Sequence, residues 1–204
     1  LLVFLNAYSI EKLRMLRVVR QLNYLFSLVP LALPGLVVGL AYIFFFNRAG
    51  WTFESIGLFI ENPFHVLYGT LAILVLSNII HYYSVPFVTA TTALKKLDKE
   101  FEVVAESMGV PFFQTLRRVT FPMCLPAIIE ISGYFFVTAM TTVSAVVFLY
   151  ASDLKPASVM IINMEDAGNV AAAAAMTLVL LVINLVVRIL YSGLGKVAEK
   201  LTGG

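Results

Sequence analysis

Residues 21–47 carry no charged side chain, and that single run decides the solvent in which the chain folds. A hydrocarbon core of about 30 Å takes roughly 20 helical residues to cross. Residues 63–94, 123–150 and 167–187 form three further apolar runs of sufficient length. The composition agrees. With 60% of residues hydrophobic and 13% charged, there is too little polar surface to cover a water-soluble globule. Residues 1–10 are too short to cross, and read as the tail of a span that starts upstream. The expected fold class is therefore an all-α integral membrane protein of about five membrane segments. It would form one transmembrane domain over residues 1–204, truncated at its N-terminus.

Bases sort the connecting segments by side, because cytoplasmic loops carry the excess of Lys and Arg. Lys12, Arg14, Arg17 and Arg20 follow the first segment, Lys95, Lys96 and Lys99 the third, and Arg188, Lys196 and Lys200 the last. Residues 48–61 hold Trp51 and Phe53 at interfacial positions with Glu54 and Glu61, and residues 151–169 hold Asp153, Glu165 and Asp166; both read as external. This assignment leaves twelve bases inside and two, Arg48 and Lys155, outside, with a cytoplasmic C-terminus. The lone Cys124 excludes an internal disulfide. His65 and His81 lie sixteen residues apart and give no zinc-like spacing, so no metal site is expected.

The long polar insertion, residues 95–122, is where such a protein would address the cytosol. Phe101, Val104, Ala105 and Met108 recur at i, i+3, i+4 and i+7, the spacing of one helix face. Asp98 is placed to cap that helix, and Glu100 and Glu102 sit in its first turn, where the dipole favours negative charge. Gly109 supplies a left-handed stop and Pro111 opens a second helix. Two short helices hinged at Gly109-Val110-Pro111 are expected outside the bilayer, with Phe112, Phe113 and Leu116 anchoring the second to the bundle.

Gly109, nine residues, then Val119-Thr120-Phe121-Pro122 resembles the EAA loop of binding-protein-dependent ABC importer permeases. That pattern is Glu-Ala-Ala, three residues, Gly, nine residues, Ile-x-Leu-Pro. Ala105 matches the third triplet position; Val103 and Val104 stand at the first two, with Glu102 one place early. The resemblance implies an importer-permease helical bundle in a bacterial inner membrane. It implies a coupling helix made by Phe101, Glu102, Val104, Ala105, Met108, Gly109, Val119, Phe121 and Pro122 that enters a cleft on an ATP-hydrolysing subunit. It also implies the other partners: ATP-binding subunits holding ATP and Mg, a second permease half or subunit, an external solute-binding protein and the lipid bilayer, with no nucleic acid and no cofactor on this chain. The stretches YFFVTAMTTVSAVVFLY from Tyr134, NMEDAGNVAAAAAM and, more loosely, ALPGLVVGLAY are similar to the subgroup moving 2-aminoethylphosphonate and to the ferric-iron permeases.

Inside the spans two features stand out. Pro30 and Pro34 remove N–H donors and disturb the helix around them, either as a packed kink or as a broken helix on the translocation path. Gly35 and Gly39 permit close backbone approach, read as packing within the subunit. Glu130, Tyr134, Thr138, Thr141 and Thr142 follow one face of the next span. A carboxylate at membrane depth faces protein or water, so this stripe lines a pathway or glues the bundle by hydrogen bonds. No GxxxxGK[ST], HExxH or GxSxG motif is present, so the chain reads as no enzyme. A secondary transporter, which would couple to intramembrane ions, or a non-transporting membrane scaffold are the rival classes.

Overall fold

Prolines cut the apolar runs into shorter helices. The computed structural model describes residues 1–12, 16–53, 58–98, 100–151 and 153–202, without the side chains of Thr52, Phe53, Leu58, Glu102, Glu106 and Thr202; Arg14, Glu54 and Lys99 lie outside it. Residues 21–47 fall into α2 (Arg17–Ala32) and α3 (Gly35–Phe46). Pro30 is carried inside α2, whereas Pro34 adopts extended backbone, φ −60° and ψ 137°, and caps α3. A residue before proline is pushed out of the α region, so the chain breaks at Leu33 rather than merely kinking at Pro30.

The same chemistry breaks the helix expected over residues 63–94. After α1 (Leu2–Lys12), α2 and α3, the chain makes a 3-10 turn at Pro63–Leu67, then α4 (Leu71–His81) and α5 (Ser84–Lys96). Pro86 has no N–H for the carbonyl of Tyr82, and its ring crowds that carbonyl; the break falls at Tyr82 and Tyr83.

The run over 123–150 is also not one helix. It holds α8 (Phe121–Met123) and α9 (Leu125–Thr141), beyond which residues 142–150 form turns. Neighbouring hydroxyls replace the missing ladder: Ser158 Oγ donates to Thr142 O, Ser77 Oγ to Ala145 O at 3.4 Å, and Tyr68 OH to Phe148 O at 3.4 Å. Non-helical backbone at membrane depth requires such partners. Only the last run is unbroken. It follows α10 (Ala157–Asp166) as α11 (Val170–Thr202) and extends well past residue 187. Among the described residues one helix, α11, is long and apolar enough to cross a membrane, or four spans exist if each broken pair counts as one.

The segment over residues 48–61 that reads as external carries a two-stranded antiparallel sheet. β1 (Gly50–Phe53) pairs antiparallel with β2 (Leu58–Glu61), Gly50 opposite Glu61 and Trp51 opposite Ile60. Asn62, 5% exposed, closes it: its Nδ2 donates to Phe45 O at 2.7 Å and Arg48 O at 3.0 Å, and its Oδ1 accepts from Phe64 N–H.

The chain divides into two compact units. One comprises Leu1–Val29, Tyr83–Val137 and Asn184–Gly204, and the other Pro30–Tyr82 and Thr138–Ile183. In the first, α1 packs along α5, burying Val3, Phe4, Ala7, Tyr8 and Ile10 with Phe87, Ala90 and Leu94. Lipid tails are as apolar as these side chains, so the gain is close van der Waals fit rather than escape from water. The second unit has its own core of Phe46, Ile73, Leu74, Val146, Leu149 and Val159. Gly39 belongs to that unit, and a Cβ there would stand 3.0 Å from Ala145 O, so the glycine pair serves packing within the chain.

Candidate functional site

The hinge expected at Gly109 is present, with φ +68°. Ahead of it runs α6 (Glu100–Ser107), whose first amide donates to the Asp98 carboxylate at 3.1 Å. After it come α7 (Phe112–Thr115), a π turn over Leu116–Thr120 and α8. Met108 N–H donates to Val104 O and Val110 N–H to Ala105 O at 2.9 Å; the second bond, spanning five residues, is the Schellman closure that a left-handed glycine makes possible.

Among the described residues, the apolar face of α6 is left largely uncovered. Phe101 is 50% exposed, Val104 54% and Met108 74%, with Ala105 half-buried between them and Val103 equally open. In cytosol such a contiguous apolar face marks a contact site. The side chain of Glu102 lies outside the described residues. On the other side of the hinge, Phe121 stands edge-on to Phe4, ring centroids 6.1 Å apart, Val119 is half-buried and Pro122 exposed at the start of α8. Leu116 joins the first core and Phe112 meets Tyr8 at 5.3 Å. Phe113 does not anchor anything: it is 69% exposed, because the helix turns that face outward.

The candidate pathway residues are divided between the two units. Glu130 and Tyr134 belong to the first unit; Pro30, Pro34, Thr138, Thr141 and Thr142 belong to the second. Glu130 is exposed and Tyr134 half-buried, edge-on to Phe135. Thr138 O accepts from Thr142 N–H at 2.9 Å and from Thr141 Oγ1 at 3.4 Å. Thr142 is buried and its hydroxyl accepts from Tyr82 OH at 3.0 Å.

Two polar clusters escaped the sequence reading. Asn6 Nδ2 donates to Ser27 Oγ at 3.1 Å and to Tyr83 OH at 2.7 Å, while Ser84 Oγ donates to Ser27 O at 2.9 Å. In the second unit a Cβ on Gly35 would collide with Ser144 and stand 3.1 Å from His81 Nε2, and the buried His81 Nδ1 and Asn78 Oδ1 have no hydrogen-bond partner among the described residues. The available signal was polar residues inside apolar runs, but nothing in their spacing said which would meet. Among the described residues no group of three or more His, Cys, Asp or Glu could hold a metal.

Residues 5–197 match the model of a family described as binding-protein-dependent transport system inner membrane component. The chain is 29% identical over 161 residues to a ferric transport system permease protein, FbpB, of Actinobacillus pleuropneumoniae, covering 79% of this chain and 21% of that one. It is 27% identical over 173 residues to a putative 2-aminoethylphosphonate transport system permease protein, PhnV, of Salmonella typhimurium, covering 85% and 59%. A putative ferric transport system permease-like protein, AfuB, of Escherichia coli is 31% identical over 99 residues, covering 48% and 82%. The chain thus spans a fifth to three-fifths of the length of the first two relatives. A predominantly α-helical fold and a match over nearly the whole length agree, and the chain belongs to the binding-protein-dependent transport system inner membrane components, the permeases of type I ABC importers.

Proposed function

We propose that this chain is the membrane-spanning subunit of an ATP-driven importer, and that α6 with the Gly109 hinge is the peg through which a separate ATP-binding subunit moves it. The supporting observation is the open apolar face of Phe101, Val104 and Met108, ended by a glycine in left-handed backbone. ATP binding closes the partner subunits; closure shifts the peg; the shift re-tilts the spans on either side of the loop. A ligand moves such an equilibrium only by its differential affinity for the two states, so the peg must dock as a rigid body. Glu130, Tyr134, Thr138, Thr141, Thr142, Pro30 and Pro34 are the proposed pathway residues. The excess of bases on these segments supports a cytoplasmic C-terminus and loop. The names of the relatives make 2-aminoethylphosphonate and ferric iron the substrates to try first.

The test is co-purification of the ATP-binding subunit with the intact permease, wild type against Gly109→Val. The expected result is loss of the complex and of ATP-dependent uptake, with the permease still folded in membranes. Retained complex and uptake would remove the peg assignment. Uptake without any ATP-binding subunit would instead favour an ion-coupled transporter.

A further inference from the structure

The half of the loop after the hinge carries a basic recess that the peg does not use. Its origin is local. Pro122 has no N–H for the carbonyl of Arg118 and its ring crowds that carbonyl, so the helix widens one turn earlier and Phe121 N–H donates to Leu116 O across a π turn. Such turns occur often at functional sites. Leu116, 8% exposed, and Thr120, 2% exposed, face inward, which leaves Arg117 and Arg118 side by side on the outer surface. Phe113 and Gln114 lie one turn back on the same face, and with Pro111 these side chains line a cavity of about 310 Å³. Neither guanidinium has a carboxylate within ion-pair distance among the described residues.

Two guanidinium forks beside an amide have the donor set that grips a phosphate. We propose that this recess binds the phosphate headgroup of an anionic phospholipid of the cytoplasmic leaflet. The proposal rests on the loop lying on the cytoplasmic side and not on its docking an ATP-binding subunit. The segment Phe112–Met123 is bent by 71° from the helix Leu125–Thr141. With that helix at the average membrane tilt of about 20°, the segment would lie within roughly 40° of the membrane plane. Arg118 precedes Leu125 by seven residues, about 10 Å along a helix at 1.5 Å per residue. That is close to the depth of the interfacial layer, roughly 5–8 Å a side. Phe113, exposed beside the two cations, supplies the apolar contact that interfacial segments make with the acyl boundary.

The test is native mass spectrometry of the assembled transporter in neutral detergent titrated with phosphatidylglycerol. Arg117→Gln with Arg118→Gln is expected to lose one bound lipid per chain and about thirtyfold in its affinity, from roughly fivefold per charge at an anionic surface. Arg117→Lys with Arg118→Lys should keep most of the binding, and Phe113→Ala, at an exposed position, should weaken it mildly. Unchanged lipid retention in the double Gln variant overturns the proposal. So does loss of the ATP-binding subunit with lipid unaffected, which assigns the recess to an acidic protein surface. Displacement of the lipid by inorganic phosphate at equal affinity, with no response to Phe113→Ala, assigns it to free phosphate and overturns the lipid too.

Discussion

Asn6 Nδ2 donates to Tyr83 OH at 2.7 Å across 77 positions of sequence, tying α1 to the start of α5 where the second apolar run breaks. The same amide reaches Ser27 Oγ, so one side chain holds three helices. Hydrogen bonds between membrane helices are worth about 0.6 kcal/mol on average and up to about 1.7. Tyr83→Phe, which removes one acceptor, should cost about 0.6 kcal/mol, and Asn6→Leu, which removes both bonds at similar volume, about 1–2 kcal/mol. Detergent-unfolding midpoints of the two variants check this. A Tyr83→Phe loss larger than that of Asn6→Leu would mean the amide is not the hub.

Gly133 is held by shape rather than by conformation. A Cβ there would stand 2.9 Å from Tyr191 Cγ and 3.1 Å from its Cβ, so α9 and α11 approach closely at that point. Overpacking of this kind costs about 1–3 kcal/mol. Gly133→Ala should therefore destabilise by that amount. Tyr191→Phe should not relieve it, since the contact is at the root of the ring, while Tyr191→Ala should recover much of the loss. A double-variant cycle in the same unfolding assay measures the coupling; strictly additive effects would deny the contact.

At Gly109 the constraint is the reverse. Among the described residues nothing lies within 4 Å of a Cβ placed there, yet φ is +68°. Steric room makes size irrelevant, and only backbone strain remains. Gly109→Asn should be nearly silent, because Asn tolerates left-handed backbone. Gly109→Val should cost about 1–2 kcal/mol locally and misalign the two halves of the loop. Uptake normalised to expressed permease distinguishes them. Equal loss for Asn and Val would point to a contact with a partner instead of a hinge.

The hinge was legible because every determinant is local: a cap, a stripe of spacing 3.6, a glycine and a proline within a dozen residues. The breaks in the spans were only half legible. Pro34 and Pro86 announce disturbance, but whether a helix bends or stops depends on who satisfies the freed carbonyls, and those donors are distant in sequence. Residues 142–150 make the point most sharply. No glycine or proline interrupts VSAVVFLY, yet the chain leaves the helix, and the carbonyls of Thr142, Ala145 and Phe148 accept from the hydroxyls of Ser158, Ser77 and Tyr68, which lie far off in sequence. The hairpin was missed for a related reason: Trp51 was read as an interfacial anchor, and the strand it forms exists only through its pairing with Ile60. Phe113 failed as an anchor because the stripe that defines α6 does not continue across the hinge, so its face had no local signal.

Glu130 separates a transport role from a merely structural one. It lies on α9 and is exposed, and Ser132 is the one other polar side chain between Ala127 and Gly133. A carboxylate facing lipid at the centre of a span costs about 2.5–3.5 kcal/mol on insertion scales, and proteins keep such groups where they meet water or a partner. If Glu130 faces a pathway or a second permease half, Glu130→Gln should leave the unfolding midpoint within about 0.5 kcal/mol. Uptake per ATP hydrolysed should nonetheless fall by about tenfold, the equivalent of losing one interaction of about 1.4 kcal/mol in the transport cycle. Glu130→Leu should lose uptake to the same degree, since neither replacement carries charge. Proteoliposomes holding the complete transporter give both quantities from one preparation. A Leu variant that is more stable and transports at the wild-type rate would show the carboxylate to be an exposed cost with no part in the cycle.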